Sequence, residues 1–233
     1  MVRWLDPHDP FPPVDAALTQ PNDLLAVGRT LGVPTLLEAY ARGIFPWFNE
    51  DEPVLWWSPD PRMVLVPREL HVSRSLQRRL RRGGFSVAAD TAFEAVVRAC
   101  AAPRREEAGT WISERMVRAY VRLHRAGYAH SVETWIDGEL AGGLYGVAIG
   151  RAFFGESMFT RQTDASKIAF VALVRQLERW EFGLIDCQMR TEHLASLGAR
   201  EIPRGEFVRV LQTLVGLPCV AAPWRLDADP GQP

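Results

Sequence analysis

The stretch from Gly142 to Gln188 decides the fold. It reads GGLYGVAIG (142–150), RAFFGESMF (151–159), TRQTDASKIAFVALVRQLERWEFG (160–183) and LIDCQ (184–188). The short apolar segments predict strands, and the third segment predicts a loop followed by a helix that is nearly apolar around its first half. The last strand is expected to run parallel to the second, because a helix joins them.

Glycines and carboxylates interrupt the apolar pattern of this stretch. The first strand contains Gly142, Gly143, Gly146 and Gly150. Glycine weakens a strand unless something approaches the backbone, so we expect a ligand or another chain segment against this sheet. Glu156 and Asp186 are set among apolar neighbours. Ionised groups are rarely buried without a partner, so both carboxylates indicate binding or chemistry.

The composition is that of a soluble globular protein. The chain has 233 residues, 47% of them hydrophobic, which allows one large domain or two small ones. The sequence shows neither an apolar run that could span a bilayer nor a signal peptide. Cys100, Cys187 and Cys219 are widely spaced and form no CxxC pair, which predicts neither a disulfide framework nor a zinc site. We expect a cytoplasmic protein without metal, cofactor or membrane segment.

Charge is unevenly distributed, although the net charge is only -1. Residues 68–128 contain 13 arginines against 6 acidic residues, whereas residues 1–67 contain 4 against 9. A basic middle indicates a polyanionic partner on one face. The alternative is an ordinary solvated surface in an arginine-rich chain, in which Lys167 is the only lysine.

Two predicted helices carry much of this basic charge. HVSRSLQRRLRRGG (71–84) is capped by Ser73, stopped by Gly83, and gathers four arginines on one side. We call these the arginine ridge: Arg74, Arg78, Arg81 and Arg82. A helix in SERMVRAYVRLHRAG (113–127), capped by Ser113, repeats the pattern. Such ridges can bind phosphates.

The pattern predicts a small N-terminal domain (1–62) and a larger second domain (63–233). The first is rich in proline and aromatics, with one short helix in PTLLEAYARG (34–43). Its Trp47, Trp56 and Trp57 are consistent with a small apolar core or with a platform that stacks a nucleobase.

The second domain is predicted to be α+β, with a mostly antiparallel central sheet flanked by helices. A meander turning at Asp137-Gly138 and at Gly150-Arg151 follows the basic helices. This order resembles the acyltransferase fold of N-acetyltransferases (GNAT). In that fold a glycine-rich loop binds the CoA pyrophosphate, but here the loop reads RQTDAS (161–166), and Asp164 would repel phosphate. Asp164 as a helix N-cap is the alternative, and it also disfavours CoA.

Many consecutive motifs carry a family resemblance from about Phe11 to Leu214. They include PNDLLAVG, LLEAYARGIFPWF, LWWSPDPRMVL, LHVSRSL, GTWI, AYVRLHRAGYAHSVE, LAGGLYGVAIG, FFGESMF, DASK, LIDCQ and HLASLGAREIPR. Together they resemble bacterial leucyl/phenylalanyl-tRNA–protein transferases. The resemblance implies transfer of Leu or Phe, and less well Met, from aminoacyl-tRNA to proteins with N-terminal Lys or Arg, which marks those proteins for degradation.

The same resemblance implies roles for individual residues. Asp186 would take or orient the amine proton, Gln188 would relay it or hold the amine, and Glu156 would bind the basic N-terminal residue. A structural hydrogen-bond pair is the alternative for the first two, and a salt bridge to Arg151 is the alternative for Glu156. Asp186 and Gln188 are two apart on a strand and are expected to face the same way.

The donor side is implied by the resemblance in the same way. The pocket for the Leu or Phe side chain would be lined by Leu144, Phe153, Gly155, Phe170, Leu173 and Ile185, for which core packing is the alternative. Trp47 and Trp111 would stack the terminal adenosine. The arginine ridge and Lys167 would bind tRNA, and a retained lysine suggests that a compact point charge is needed.

Two other functions are compatible with parts of the sequence. A CoA-dependent N-acetyltransferase is disfavoured by RQTDAS. A non-catalytic RNA-binding module is disfavoured by carboxylates that lie in an apolar sheet, away from the basic helices.

Overall fold

The computed structural model describes residues 2–20, 23–102 and 112–227. Its strands are β1 Arg3–Leu5, β2 Leu24–Gly28, β3 Phe45–Pro46, β4 Leu55–Trp57, β5 Arg62–Leu65, β6 Ser86–Ala89, β7 Ala129–Ile136, β8 Glu139–Ile149, β9 Ala152–Thr160, β10 Leu184–Gln188 and β11 Arg200–Ile202. Its α-helices are α1 Val33–Ala41, α2 Arg74–Arg82, α3 Phe93–Ala101, α4 Glu114–Arg125, α5 Ala165–Arg179, α6 Glu192–Ser196 and α7 Arg204–Val215.

A seven-stranded sheet in the order β11-β5-β10-β9-β8-β7-β6 forms the centre of the molecule. The predicted meander forms β7, β8 and β9. β10 pairs parallel with β9, as the helical connection predicts, and the other neighbouring pairs are antiparallel. The predicted α+β class with a mostly antiparallel sheet is therefore confirmed. The sequence pattern did not predict that β5 would pair with the free side of β10.

Close approach of the chain to itself explains two glycines of β8. A Cβ at Gly142 would lie 2.6 Å from the Cβ of Ala165, at the start of α5. A Cβ at Gly146 would lie 2.5 Å from the ring of Phe153. At these two positions, other segments of the chain, not a ligand, approach the backbone of β8 as expected from its glycines.

A separate four-stranded sheet, in the order β1-β2-β4-β3, is built from the first 57 residues. Trp56 is buried there, donates its Nε1–H to the Gly28 carbonyl at 2.8 Å, and packs edge-on against Phe11. This tryptophan belongs to a small apolar core, which was one of the two interpretations. β5 begins at Arg62 and joins the larger sheet, while the division of the chain at residue 62 stays a prediction.

Serine side chains cap the N-termini of both basic helices, α2 and α4. The side chains of Ser73 and Ser113 accept the backbone N–H groups of Leu76 and Met116, each at 3.3 Å, which confirms both predicted caps. α5 ends at Arg179, four residues before Gly183, the last residue of the segment predicted to form a loop and a helix. The chain turns there so that Phe182 can re-enter the core.

The two basic helices lie on opposite faces of the large sheet. On one face, Leu76 and Leu80 of α2 pack against α5. On the other, Tyr120 of α4 packs against Tyr145 of β8. The two sets of arginines therefore do not form one continuous surface. Within the described ranges, the helices are too short or too polar to cross a membrane.

Candidate active site

A cavity of about 380 Å³ opens where β9 and β10 separate. The pairing of the two strands ends at Phe154 and Asp186, and the next residue on each strand, Gly155 or Cys187, borders the cavity. Its walls are mainly apolar. They include the six residues predicted for the donor pocket, Leu144, Phe153, Gly155, Phe170, Leu173 and Ile185. Trp47, Glu156 and Gln188 border the same cavity. Nine residues that were predicted from the sequence to act in the site therefore border the same cavity. Their roles stay predictions.

Trp47 differs from its buried neighbour Trp56. It borders the cavity, is 38% exposed, and lies 5.8 Å from the ring of Trp57. The Nε1–H of Trp57 donates to the Trp47 carbonyl at 2.7 Å, which fixes the backbone at this point. An exposed indole at a cavity rim can stack a base. Trp111, predicted to act beside it, lies outside the described residues.

Asp186 is held in an ion pair with Arg62, and both side chains are buried. Nε of Arg62 donates to Oδ1 of Asp186 at 2.8 Å, and Nη2 donates to Oδ2 at 2.7 Å. The guanidinium lies between the rings of Phe45 and Phe207, at 4.9 and 4.7 Å from their centroids. Asp186 is not among the described residues that border the cavity. Its carboxylate thus faces a protein cation, not the cavity.

Gln188 is connected to this pair through its backbone. Its N–H donates to Oδ1 of Asp186 at 2.9 Å, and its φ of +57° lies in the left-handed region. The strand register shifts between the two residues. The expectation that Asp186 and Gln188 face the same way is therefore wrong, because this irregularity breaks the alternation of the strand.

Glu156 is partnered by tyrosines. Tyr40 donates to Oε1 at 2.6 Å, Tyr120 donates to Oε2 at 2.5 Å, and the two hydroxyl oxygens lie 2.6 Å apart. We call these three residues the tyrosine–glutamate cluster. Within the described residues Glu156 makes no salt bridge, so the suggested pairing with Arg151 is not formed; the Arg151 guanidinium lies over Phe182 instead.

Burial raises the pKa of Glu156 to about 7. The hydrogen count agrees with this direction. Three oxygen–oxygen contacts need three hydrogens, and the two tyrosines supply two, so the protonated carboxyl satisfies the cluster. Burial and the charge of Glu156 also raise the pKa of Tyr40 and of Tyr120, so both hydroxyls stay protonated. The ionised form of Glu156 leaves one contact without a hydrogen and lacks a directly paired cation among the described residues.

The predicted tRNA-binding Lys167 lies on the first turn of α5. Its Nζ pairs with Oδ1 of Asp164 at 3.1 Å. Asp164 occupies the N-cap position of α5, but in a left-handed conformation and without a side-chain cap bond. His193 borders the cavity, and burial followed by the charge of Lys167 lowers the pKa of its imidazole. The charge of Lys167 is therefore felt by a histidine of the cavity wall, although Lys167 itself is not among the described residues that border the cavity.

The arginine ridge lies on α2, with its guanidinium groups directed to solvent. Arg74, Arg78, Arg81 and Arg82 make no ion pair or hydrogen bond with the part of the chain that the structure describes. By contrast, two arginines of α4 bond to backbone carbonyls, Arg115 to Glu52 at 2.9 Å and Arg122 to Leu31 at 3.3 Å. Only the first set is thus available as a whole to a polyanion.

Two models of one protein family match the chain. The leucyl/phenylalanyl-tRNA protein transferase model matches residues 64–212, and the model of the N-terminal domain of the same transferase matches residues 29–60. The chain belongs to this family. Relatives called leucyl/phenylalanyl-tRNA–protein transferase include one from Nitrosospira multiformis, 63% identical and covering 98% of this chain and 99% of its own, and one from Nitrosomonas europaea, 61% identical and covering 97% and 96%.

Similar solved structures include a GCN5-related N-acetyltransferase from Kribbella flavida. It is 12% identical, covers 70% of this chain and 58% of its own, and has a TM-score of 0.31. This similarity concerns the fold alone.

Three residues of this family member's site were missed from the sequence. Arg62 begins an apolar strand, and Tyr40 and Tyr120 lie on the apolar faces of amphipathic helices. The sequence offers two signals for such residues: a charged residue at the start of a buried strand, and a tyrosine hydroxyl on the buried face of a helix. Both indicate a polar partner, because buried polar groups need one. Neither signal says which partner, because the partners are remote in sequence.

Proposed function

We propose that this transferase joins a leucyl or phenylalanyl group, and less efficiently a methionyl group, from aminoacyl-tRNA to the N-terminal amine of a protein that begins with Lys or Arg. The observation that carries this proposal is a mainly apolar cavity whose wall includes Glu156, a carboxyl group that has no paired cation among the described residues. An apolar side chain and a positive charge can both be accommodated there. The product would be a protein marked for degradation, and we place the reaction in the cytoplasm.

The donor is expected to enter with its side chain against the apolar wall. Leu144, Phe153 and Ile185 contribute to this wall. Gly155 leaves room, since the nearest atom to an added Cβ would be the Asp186 carbonyl oxygen at 3.7 Å. Trp47 at the rim would stack the terminal adenine, and the arginine ridge and Lys167 would bind phosphates further along the tRNA.

The acceptor is expected to place its side-chain cation against Glu156. A buried carboxylate is stabilised by an opposite charge nearby, which an N-terminal Lys or Arg supplies. The two tyrosine hydroxyls keep the carboxylate oriented while the cation binds.

The reaction needs little proton chemistry. The acceptor amine attacks the ester carbonyl, a C–N bond forms, and the C–O bond to the ribose breaks; the proton that the amine loses balances the one that the ribose oxygen gains. A free α-amine has a pKa of about 7.7 to 8.0, so an appreciable fraction is already nucleophilic at neutral pH. Positioning can supply much of the remaining acceleration. Gln188 would hold the amine, and Asp186, whose oxygens already accept protein N–H groups, would hold Gln188 in place through its backbone N–H.

The rival functions have less support. Asp164 stands in the loop where CoA-binding members of the acetyltransferase fold carry glycine, which disfavours acyl-CoA. A non-catalytic RNA-binding module leaves the cavity and Glu156 on its wall without a role.

The test supplies charged tRNA and acyl-CoA separately, with a peptide that begins with Arg and a matched peptide that begins with Gln. Transfer from leucyl- or phenylalanyl-tRNA to the Arg peptide alone is expected. Acylation from acyl-CoA would favour the acetyltransferase, and tRNA binding without any transfer would favour the RNA-binding module.

A second test concerns the arginine ridge. Changing Arg74 and Arg78 to Ala should weaken the binding of aminoacyl-tRNA and reduce the slope of log affinity against log salt concentration by about one per lost phosphate contact. Transfer from an aminoacyl-adenosine donor, which lacks the rest of the tRNA, should be unchanged.

A further inference from the structure

Arg62 is the cation at the centre of a buried network beneath the cavity. Its side chain is fully buried, and its two bonds to Asp186 are parallel and short, at 2.8 and 2.7 Å. Such a two-pronged pair fixes both the position and the plane of the carboxylate. Arg62 begins β5, whereas Asp186 lies on β10, so the pair also joins two neighbouring strands.

The fixed carboxylate in turn holds the backbone of Gln188. Oδ1 of Asp186 accepts both Nε–H of Arg62 and the N–H of Gln188. Gln188 has a φ of +57°, a conformation that costs free energy for a residue with a side chain and needs support from its surroundings. The bond from its N–H to Asp186 is such support. Rotation of the carboxylate would release Gln188 from its place at the cavity wall.

A second contact runs from Arg62 to the wall itself. The guanidinium lies against the ring of Phe45, and Phe45 borders the cavity. Arg62 therefore supports two sides of the cavity from behind, Gln188 through Asp186 and Phe45 directly. It is not itself among the described residues that border the cavity.

Stability alone does not account for this arrangement. A buried ion pair gains little over well-packed apolar side chains of similar volume, because both charges lose their water. Nη1 of Arg62 is buried without a hydrogen-bond partner in the described part of the chain, which adds a further cost. A geometric role gives a reason to keep such a pair.

We infer that Arg62 is a positioning residue for aminoacyl transfer, which fixes Asp186 and thereby holds Gln188 at the cavity wall. The inference rests on the proposed function. It requires that Arg62 influence the rate of transfer more than the binding of either substrate, since it touches neither.

The test replaces the pair by apolar residues, Arg62→Met together with Asp186→Leu, and separately makes Arg62→Lys. The apolar pair leaves no unpaired buried charge, and lysine keeps the charge but loses the two-pronged bond. Transfer from leucyl-tRNA to an Arg peptide is measured as kcat and as KM for each substrate, per folded protein judged by circular dichroism. We expect kcat to fall about 10²-fold in the apolar pair and about tenfold in Arg62→Lys, with both KM values within about twofold of wild type.

Arg29→Met is the matched control. Arg29 is also a buried arginine, paired with Glu38 at 2.9 Å and stacked on Phe11, and neither of the paired residues borders the cavity. It should lose stability but keep its kcat. If either Arg62 variant keeps kcat within twofold of wild type, or changes only KM, the positioning role is wrong. If wild type and Arg29→Met both fail to transfer from charged tRNA, the proposed function falls and this role falls with it.

Discussion

The β10 side and the β9 side of the cavity each carry a carboxyl group, the buried Asp186 and the partly buried Glu156, in opposite electrostatic surroundings. On the β10 side, Asp186 has a protein cation, Arg62, at 2.7 Å. On the β9 side, Glu156 has two neutral hydroxyls from Tyr40 and Tyr120. Burial raises the pKa of Glu156 to about 7 because no directly paired cation in the described structure offsets it.

The difference is our basis for proposing different tasks for the two carboxylates. A carboxylate that already has its cation is electrostatically complete and can serve as a fixed anchor for the backbone. A carboxylate without a cation gains most when a ligand brings one. Asp186 is thus suited to geometry, and Glu156 is suited to selecting a positively charged acceptor.

The largest effect is expected from Asp186→Asn. The asparagine amide has only one oxygen, and its NH₂ group is a donor, as are the N–H groups of Arg62 and Gln188. The two-pronged bond to Arg62 is therefore lost and the support of Gln188 weakens. We expect kcat to fall by about 10²-fold for acceptors with N-terminal Arg and Lys alike, measured per folded protein, because the reacting groups are misplaced. Excess acceptor should restore little of the rate, because the lost interaction matters mainly in the transition state. Full recovery at saturating acceptor would place Asp186 in binding.

Glu156→Gln should instead act on acceptor binding. The amide keeps the shape of the side chain but cannot pair with the acceptor's cation. Loss of one partner of a buried charge pair costs about 2 kcal/mol or more, which corresponds to about 30-fold in KM for an Arg peptide. Saturating peptide should recover most of kcat. A peptide that begins with citrulline, which has no charge, serves as the control and should bind both proteins similarly; an equal loss with both peptides would refute the assignment.

The sequence predicts the two sides of the cavity unequally. Hydrophobic periodicity and the two turns of the meander indicate β8, β9, α5 and β10, so Glu156 and Asp186 could be placed on strands next to apolar walls. The partners could not be predicted, because Arg62 is 124 residues from Asp186 and Tyr40 is 116 residues from Glu156. Local pattern carries no information on such pairs. The irregularity at Gln188 was missed for a related reason, since it depends on a carboxylate that Arg62 holds in place.

The pH dependence of acceptor binding tests the β9 side more finely. Below pH 7, Glu156 is mostly protonated and cannot pair with a cation; above pH 7 it is mostly ionised. Apparent affinity follows the competent fraction, so the Kd of an Arg peptide should improve about tenfold from pH 6 to pH 8. Calorimetric titration without donor measures this. In Glu156→Gln, the Kd of the Arg peptide should depend on pH no more than the Kd of the citrulline peptide. If the stronger pH dependence of the Arg peptide persists in this variant, another group causes it.

The smallest effect concerns stability without substrate. The pKa of Glu156 is about 7 in the folded protein and close to the ordinary glutamate value, about 4.3, when unfolded. Between these values the folded state binds more protons than the unfolded state, so this carboxyl's contribution to stability is lost as pH rises toward and through 7. Glutamine does not titrate. Glu156→Gln should therefore gain Tm relative to wild type between pH 5 and pH 8, by a few degrees for a chain of this size. Asp186→Asn leaves Arg62 buried without its anion and should lower Tm at both pH values. A Tm difference for Glu156→Gln that stays constant or shrinks with rising pH would show that Glu156 already has a cation inside the folded protein, and the contrast between the two sides of the cavity would not hold.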